Sequence, residues 1–147
     1  DGVPLNNSSR GEYRTLFSAI FADYHLFDRL YGLSNVGSAK VEEMLQYLEL
    51  TDKVTIDDSG FDTLELSGGQ RKRLALLVSL LEDRPICVYD EVAADQDPTF
   101  RKRYYEEILP SLKQQGKALI VVTHDDRYFS VADHLLKMDS GRIVKYD

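Results

Sequence analysis

The residues of this chain best suited to chemistry sit at the start of one helix and at the ends of two apolar runs. Leu66-Ser67-Gly68-Gly69-Gln70 is followed by Arg71-Lys72-Arg73, and Leu74, Ala75, Leu77, Val78 and Leu81 then recur at helical spacing. Ser67 reads as the N-cap of that helix. The two glycines leave its first backbone N–H groups unshielded, where about half a positive charge suits a phosphate group. An ordinary capped surface helix behind a glycine turn is the plainer reading of the same residues. Further on, Pro85-Ile86-Cys87-Val88-Tyr89 runs into two adjacent carboxylates, Asp90 and Glu91, and Ala118-Leu119-Ile120-Val121-Val122-Thr123 runs into His124 and Asp125. A carboxylate placed at a strand end can move a proton in catalysis. Solvated acids closing a strand are the plainer alternative.

The apolar runs read as buried strands of a parallel sheet, so the acids and the imidazole emerge at its carboxyl end, where α/β sheets place their ligands. Leu16-Phe17-Ser18-Ala19-Ile20-Phe21 reads as another buried strand, and residues 1–11 as a turn-rich loop. From Phe27 to Glu82 the pattern is helical, with Ser38 as a cap and Val41, Met44, Leu45 and Leu48 as a core stripe. The polar stretch from Thr51 to Thr63 reads as a solvated loop, with Asp57-Asp58-Ser59-Gly60 as its turn. Arg71, Lys72 and Arg73 read either as a solvated helix face or as a source of charge for a phosphate. Asp97 before Pro98 is placed to cap a helix that turns Tyr104, Ile108 and Leu109 inward, is interrupted at Pro110 and ends at Gly116. Asp125-Asp126 caps a short helix, and the tail reads as two strands joined at Ser140-Gly141.

Composition narrows the function. A formal net charge of −7 argues against a nucleic-acid partner, whose footprint would be basic. The single cysteine, Cys87, lies in an apolar run and has no internal partner for a disulfide, which fits a reducing compartment. No apolar run approaches the roughly 20 residues of a membrane span. His25 has no suitably spaced companion for a metal site, and His134 reads as a polar side chain lying on the surface.

The order of these features resembles the ATP-binding cassette (ABC) ATPase family. The match lies at Leu66–Gln70 (signature), Ile86–Glu91 (Walker B strand and catalytic glutamate), Ala94–Asp97 (D-loop) and His124 (switch histidine). The resemblance implies an α/β fold of partial P-loop type, with a mostly parallel sheet core and an inserted helical signature subdomain. Residues 1–24 and 83–147 would form the core and residues 25–82 the helical subdomain. It further implies ATP and Mg²⁺ as cofactors, with Asp90 on the metal, Glu91 activating water and His124 sensing the γ-phosphate. Ser67, Gly68, Gly69 and Gln70 would meet nucleotide held by a second nucleotide-binding domain, and Asp97 would help the two sites communicate. The implied partners are that second domain and a membrane-spanning domain, at the cytoplasmic face of the cell (inner) membrane.

Two departures bear on activity. No Gly-x-x-x-x-Gly-Lys-Ser/Thr loop occurs in the chain, and Asp1-Gly2-Val3-Pro4-Leu5 resembles the turn and strand that follow that loop's helix. A carboxyl-terminal piece of a nucleotide-binding domain, inactive alone, is the expectation. The family's Q-loop glutamine is matched by Ala22, which leaves Asp23 to take a polar role through water or the sensing link weakened. The wording Asp90-Glu91-Val92-Ala93-Ala94-Asp95-Gln96-Asp97-Pro98, then Phe100-Arg101, is similar to the cyclic-peptide and siderophore-peptide exporter branch. A soluble ABC ATPase of DNA repair or translation, or a docking module without catalysis, are the alternatives.

Overall fold

A strand inside a parallel sheet has both edges paired, and among the described residues only the run Ile86–Asp90 does in the main sheet. The computed structural model describes residues 4, 6–33, 35–57 and 60–145. In chain order they form α1 (Arg10–Arg14), β1 (Phe17–Ile20), α2 (Ser38–Tyr47), the short β2 (Ile56–Asp57) and β3 (Gly60–Phe61), α3 (Gly68–Glu82) and β4 (Ile86–Asp90). Next come α4 (Pro98–Arg103), a π-helical turn (Tyr104–Ile108), α5 (Leu109–Gln114), β5 (Ala118–Val122), a 3₁₀ turn (Asp126–Val131), β6 (Leu136–Asp139) and β7 (Arg142–Lys145). The main sheet has the order β1-β4-β5, all parallel, with Ser18 opposite Cys87 and Asp90 opposite Val122.

The core forms where α3 and the 98–114 helix cover this sheet: Leu74, Leu76, Leu77, Tyr89, Phe100, Tyr104 and Ile108 are all buried. A polar web crosses it. The Ser18 hydroxyl donates to the Glu82 carboxylate, Ser18 Oγ lies 2.9 Å from Ser79 Oγ, and Ser79 Oγ lies 3.0 Å from the Tyr89 hydroxyl. Burial pushes the Tyr89 phenol above the ordinary tyrosine range, so it stays a neutral member of the web.

Several expectations are corrected. β5 is not buried: it is the edge of its sheet, and Ile120 and Val122 are exposed. β1 is half-buried, with Ser18 and Ile20 inward and Phe17 exposed. Gly37, not Ser38, holds the N-cap position of α2, and the residues described between Phe27 and Gly37 form turns rather than helix. Residues 10–14 are helical. β2 pairs with β3 across Asp57 and Gly60, while Asp58 and Ser59 of the expected turn lie outside the described residues, as do Asp1, Gly2, Val3 and Leu5.

Pro110 does not interrupt its helix. The π-helical turn ahead of it moves the hydrogen bond of Leu109 N–H back to Tyr104, and this wider turn carries the helix past a residue with no N–H. Gly116 ends the helix as expected: at φ 81° it donates to Lys113 O, and Lys117 donates to Leu112 O, a Schellman closure. Ser140 and Gly141, both at positive φ, turn β6 into β7.

Candidate active site

Each strand of the main sheet delivers a group to its carboxyl end. β4 ends in Asp90, and Glu91 follows in the left-handed region at φ 53°. Outside glycine that conformation costs of order 1–3 kcal/mol and persists only where surrounding contacts enforce it. Here Glu91 N–H donates to Val122 O at 3.0 Å, and Glu91 O accepts from Ala94 N–H at 3.2 Å and from the Lys72 ammonium at 2.8 Å. The sharp turn aims the Glu91 side chain at the loop after β5, where His124 Nδ1 lies 2.7 Å from Glu91 Oε1. An ionised carboxylate only accepts, so Nδ1 carries the proton and donates, leaving Nε2 on a largely exposed ring.

Asp90 faces β1 rather than His124: its Oδ2 accepts from the Ala22 N–H at 3.3 Å. Ala22, at the expected glutamine position, therefore reaches the site through its main chain. Among the described residues no group of three or more His, Cys, Asp or Glu could hold a metal ion. One carboxylate still fits Mg²⁺, which keeps its waters and borrows phosphate oxygens.

The residues at the start of α3 form a separate cluster. Ser67 caps α3 in a full capping box: Gln70 N–H donates to Ser67 Oγ at 3.3 Å and Ser67 N–H donates to Gln70 Oε1 at 3.0 Å. Gln70 is thus partly committed to its own helix. Ser67, Gly69, Gln70 and Asp97 line a cleft of about 420 Å³ with Lys53 and Arg73. Glu91 and His124 line a different cavity of about 110 Å³, with Arg101, Tyr105 and Thr123. The two share no residue, so within one copy the helix tip and the acid–imidazole pair serve different places.

The basic trio is neither a solvated face nor a free phosphate ligand. Arg71 donates to Leu64 O, and Lys72 is buried against Glu91 and Asp95. Arg73 donates to Gln96 Oε1, pairs with Glu49 and Asp97, and lies 3.8 Å from the Phe100 ring centre. Asp125 also departs from expectation. Its side chain caps nothing and pairs with Arg101 at 3.6 Å and with Arg127 at 3.1 Å. Arg101 meanwhile donates to the carbonyls of Ala93, Ala94 and Gln96. Tyr105 OH lies 2.8 Å from Thr123 Oγ1, beside His124. No local pattern marked Arg101 or Tyr105 as site residues; their partners lie on other elements.

Asp97 caps α4 as expected, accepting from Thr99 and Phe100 N–H at 3.0 Å. The Phe100 N–H, the Arg73 guanidinium and the Thr99 N–H together hold its carboxyl below the usual aspartate range. A lowered folded pKa contributes stability above the unfolded value, near 4, and loses it as pH falls through the folded value. Asp97→Ala should therefore cost about 1 kcal/mol at pH 7, a normal cap loss, and much less at a pH below the folded value. Urea unfolding at both pH values checks this; an equal deficit at the two would exclude the carboxylate as its origin.

The family model described as ABC transporter matches residues 1–94. The chain is 49% identical to the ATP-binding protein SyrD of Pseudomonas syringae pv. syringae, over 98% of its own length and 26% of that protein's. It is 30% identical to an ATP-dependent lipid A-core flippase of Burkholderia orbicola (strain AU 1054), over 99% of its length and 26% of the flippase. It thus spans about a quarter of the length of these curated relatives. Its fold matches a chain of a bacterial Atm1-family ABC exporter solved with ATP bound, with a TM-score of 0.72, 23% identity, 92% of this chain covered and 25% of the other. Signature helix, acid-ended strand and histidine-ended strand come in one order on a fold shared with that exporter, and with the family match they establish that the chain belongs to the ABC transporter family.

Proposed function

We propose that this chain supplies the signature helix, Asp90, Glu91 and His124 to an ATP-hydrolysing domain that drives an exporter. The observation that carries the reading is the 2.7 Å contact between Glu91 and His124 beside Asp90, at the carboxyl end of a parallel sheet. Glu91 accepts a proton from the attacking water, and the His124 Nδ1–H holds its carboxylate in place. Nε2 of His124 lies on the exposed side of the ring and, carrying a proton as well, would donate to the γ-phosphate. Asp90 would hold Mg²⁺, which supplies positive charge against the phosphates. Ser67, Gly68, Gly69 and the Gln70 N-terminal turn face nucleotide on a second nucleotide-binding domain, and the separation of the two cavities supports that division. The loop 93–97 joins the two cavities, with Ala93 and Ala94 lining one and Asp97 the other.

Residues 25–82 then serve as a helical subdomain against a membrane-spanning partner, and residues 1–24 and 83–147 as core, at the cytoplasmic face of the inner membrane. The flippase relative and the exporter fold support outward transport, and the wording from Asp90 to Pro98 favours a small or cyclic peptide as cargo. No helix among the described residues is long and apolar enough to cross a membrane, so the transport path would lie in other segments. The test is phosphate release and peptide efflux by the full-length protein in proteoliposomes. Both should depend on ATP, while this 147-residue chain alone, which contains no phosphate loop, should release no phosphate above background. Robust turnover by the chain alone would overturn the division of labour.

A further inference from the structure

Lys72 is a buried cation that the chemistry above does not use. It lies on α3 with its side chain 9% exposed, donates from Nζ to Glu91 O at 2.8 Å and pairs with Asp95 Oδ2, also at 2.8 Å. A lysine stem is long enough to carry its ammonium out to water, and burying a charge costs free energy that an apolar side chain of similar size would avoid. Packing alone therefore does not account for the charge.

What the ammonium meets does account for it. Glu91 is held at φ 53°, and its carbonyl has no strand partner because the chain has already left β4. Lys72 and the Ala94 N–H take that carbonyl between them. By pairing with Asp95, Lys72 also fastens the far side of the same turn. The peptide that carries the Glu91 side chain is thus tied to the helix that begins at Ser67.

Resting on the ATP-hydrolysing function, we propose that Lys72 is a positioning residue for Glu91. It fixes the backbone on which the proton-accepting carboxylate is mounted. It also joins that carboxylate, through one side chain, to the helix whose tip faces the neighbouring nucleotide.

In the full-length protein, Lys72→Met keeps a helix-favouring stem and removes the ammonium. Its kcat for ATP should fall about tenfold or more, towards the roughly 10²-fold that a misplacement of about 1 Å costs, with KM unchanged. Placed in a Glu91→Gln background, the same substitution should leave residual turnover unaltered, because a group acting only through that carboxylate has nothing left to position. A normal kcat in Lys72→Met, or an equal further loss in the Glu91→Gln background, would overturn the assignment. Should Lys72→Met fail to fold, Lys72→Leu also removes the ammonium on a helix-favouring side chain; the same two results, read in that variant, support or overturn the assignment. Absent turnover in the unsubstituted protein, or full turnover in Glu91→Gln, would instead overturn the function itself.

Discussion

Glu91→Gln in the full-length protein should lower ATP turnover by roughly 10²- to 10⁴-fold, the range a placed proton acceptor contributes, while nucleotide binding survives. The substitution is nearly isosteric. Its amide oxygen can still accept from His124 Nδ1, which lies 2.7 Å from Glu91 Oε1, so the loop after β5 keeps its anchor. The main-chain bonds that enforce the left-handed turn, to Val122 O and from Ala94 and Lys72, do not involve the side chain. What is lost is a basic oxygen facing water. Phosphate release and equilibrium nucleotide binding, measured side by side, separate the outcomes. Unchanged turnover would remove Glu91 from the proton-accepting role, and lost binding would show the side chain to be structural.

The features legible in the sequence were those that local rules decide. Ser67 ahead of a helical run, Asp97 before Pro98, Gly116 after a helix and Ser140-Gly141 between strands each carry their own turn or cap chemistry, and each is where the residue types put it. Asp90, Glu91 and His124 were legible because an apolar run of strand length that stops at polar groups must deliver them at a sheet end. What escaped was decided between elements. Apolarity is the same in a central and an edge strand, so β5 read as buried although it pairs on one side with β4 and on the other with none of the described strands. Arg71, Lys72 and Arg73 point about 100° apart around a helix, and three different surroundings claim them. Glutamate has no preference for positive φ, so nothing in the composition announced the turn at Glu91; it is imposed by β5 and α3.

Gly69→Ala should destabilise the protein by about 1–3 kcal/mol, the usual cost of forcing atoms into a filled site, although the general rule for a helix predicts the opposite sign. Replacing glycine by alanine inside a helix ordinarily gains up to about 1 kcal/mol. At Gly69 an added Cβ would lie 2.6 Å from the carbonyl oxygen of Asp95. That oxygen belongs to a backbone with little freedom to yield. Asp95 is paired with Lys72, the Gln96 amide donates to Gly69 O at 2.9 Å, and Arg101 donates to Gln96 O at 3.1 Å. Gly68 is the internal control, because a Cβ there would meet only the Asp95 side chain at 3.8 Å, ordinary contact distance. Gly68→Ala should therefore unfold at close to the normal denaturant midpoint and Gly69→Ala well below it. Equal midpoints for the two variants would mean that the 95–96 turn yields readily. Both glycines would then have to be explained by what approaches the helix tip from outside, rather than, for Gly69, by the loop packed against it from within.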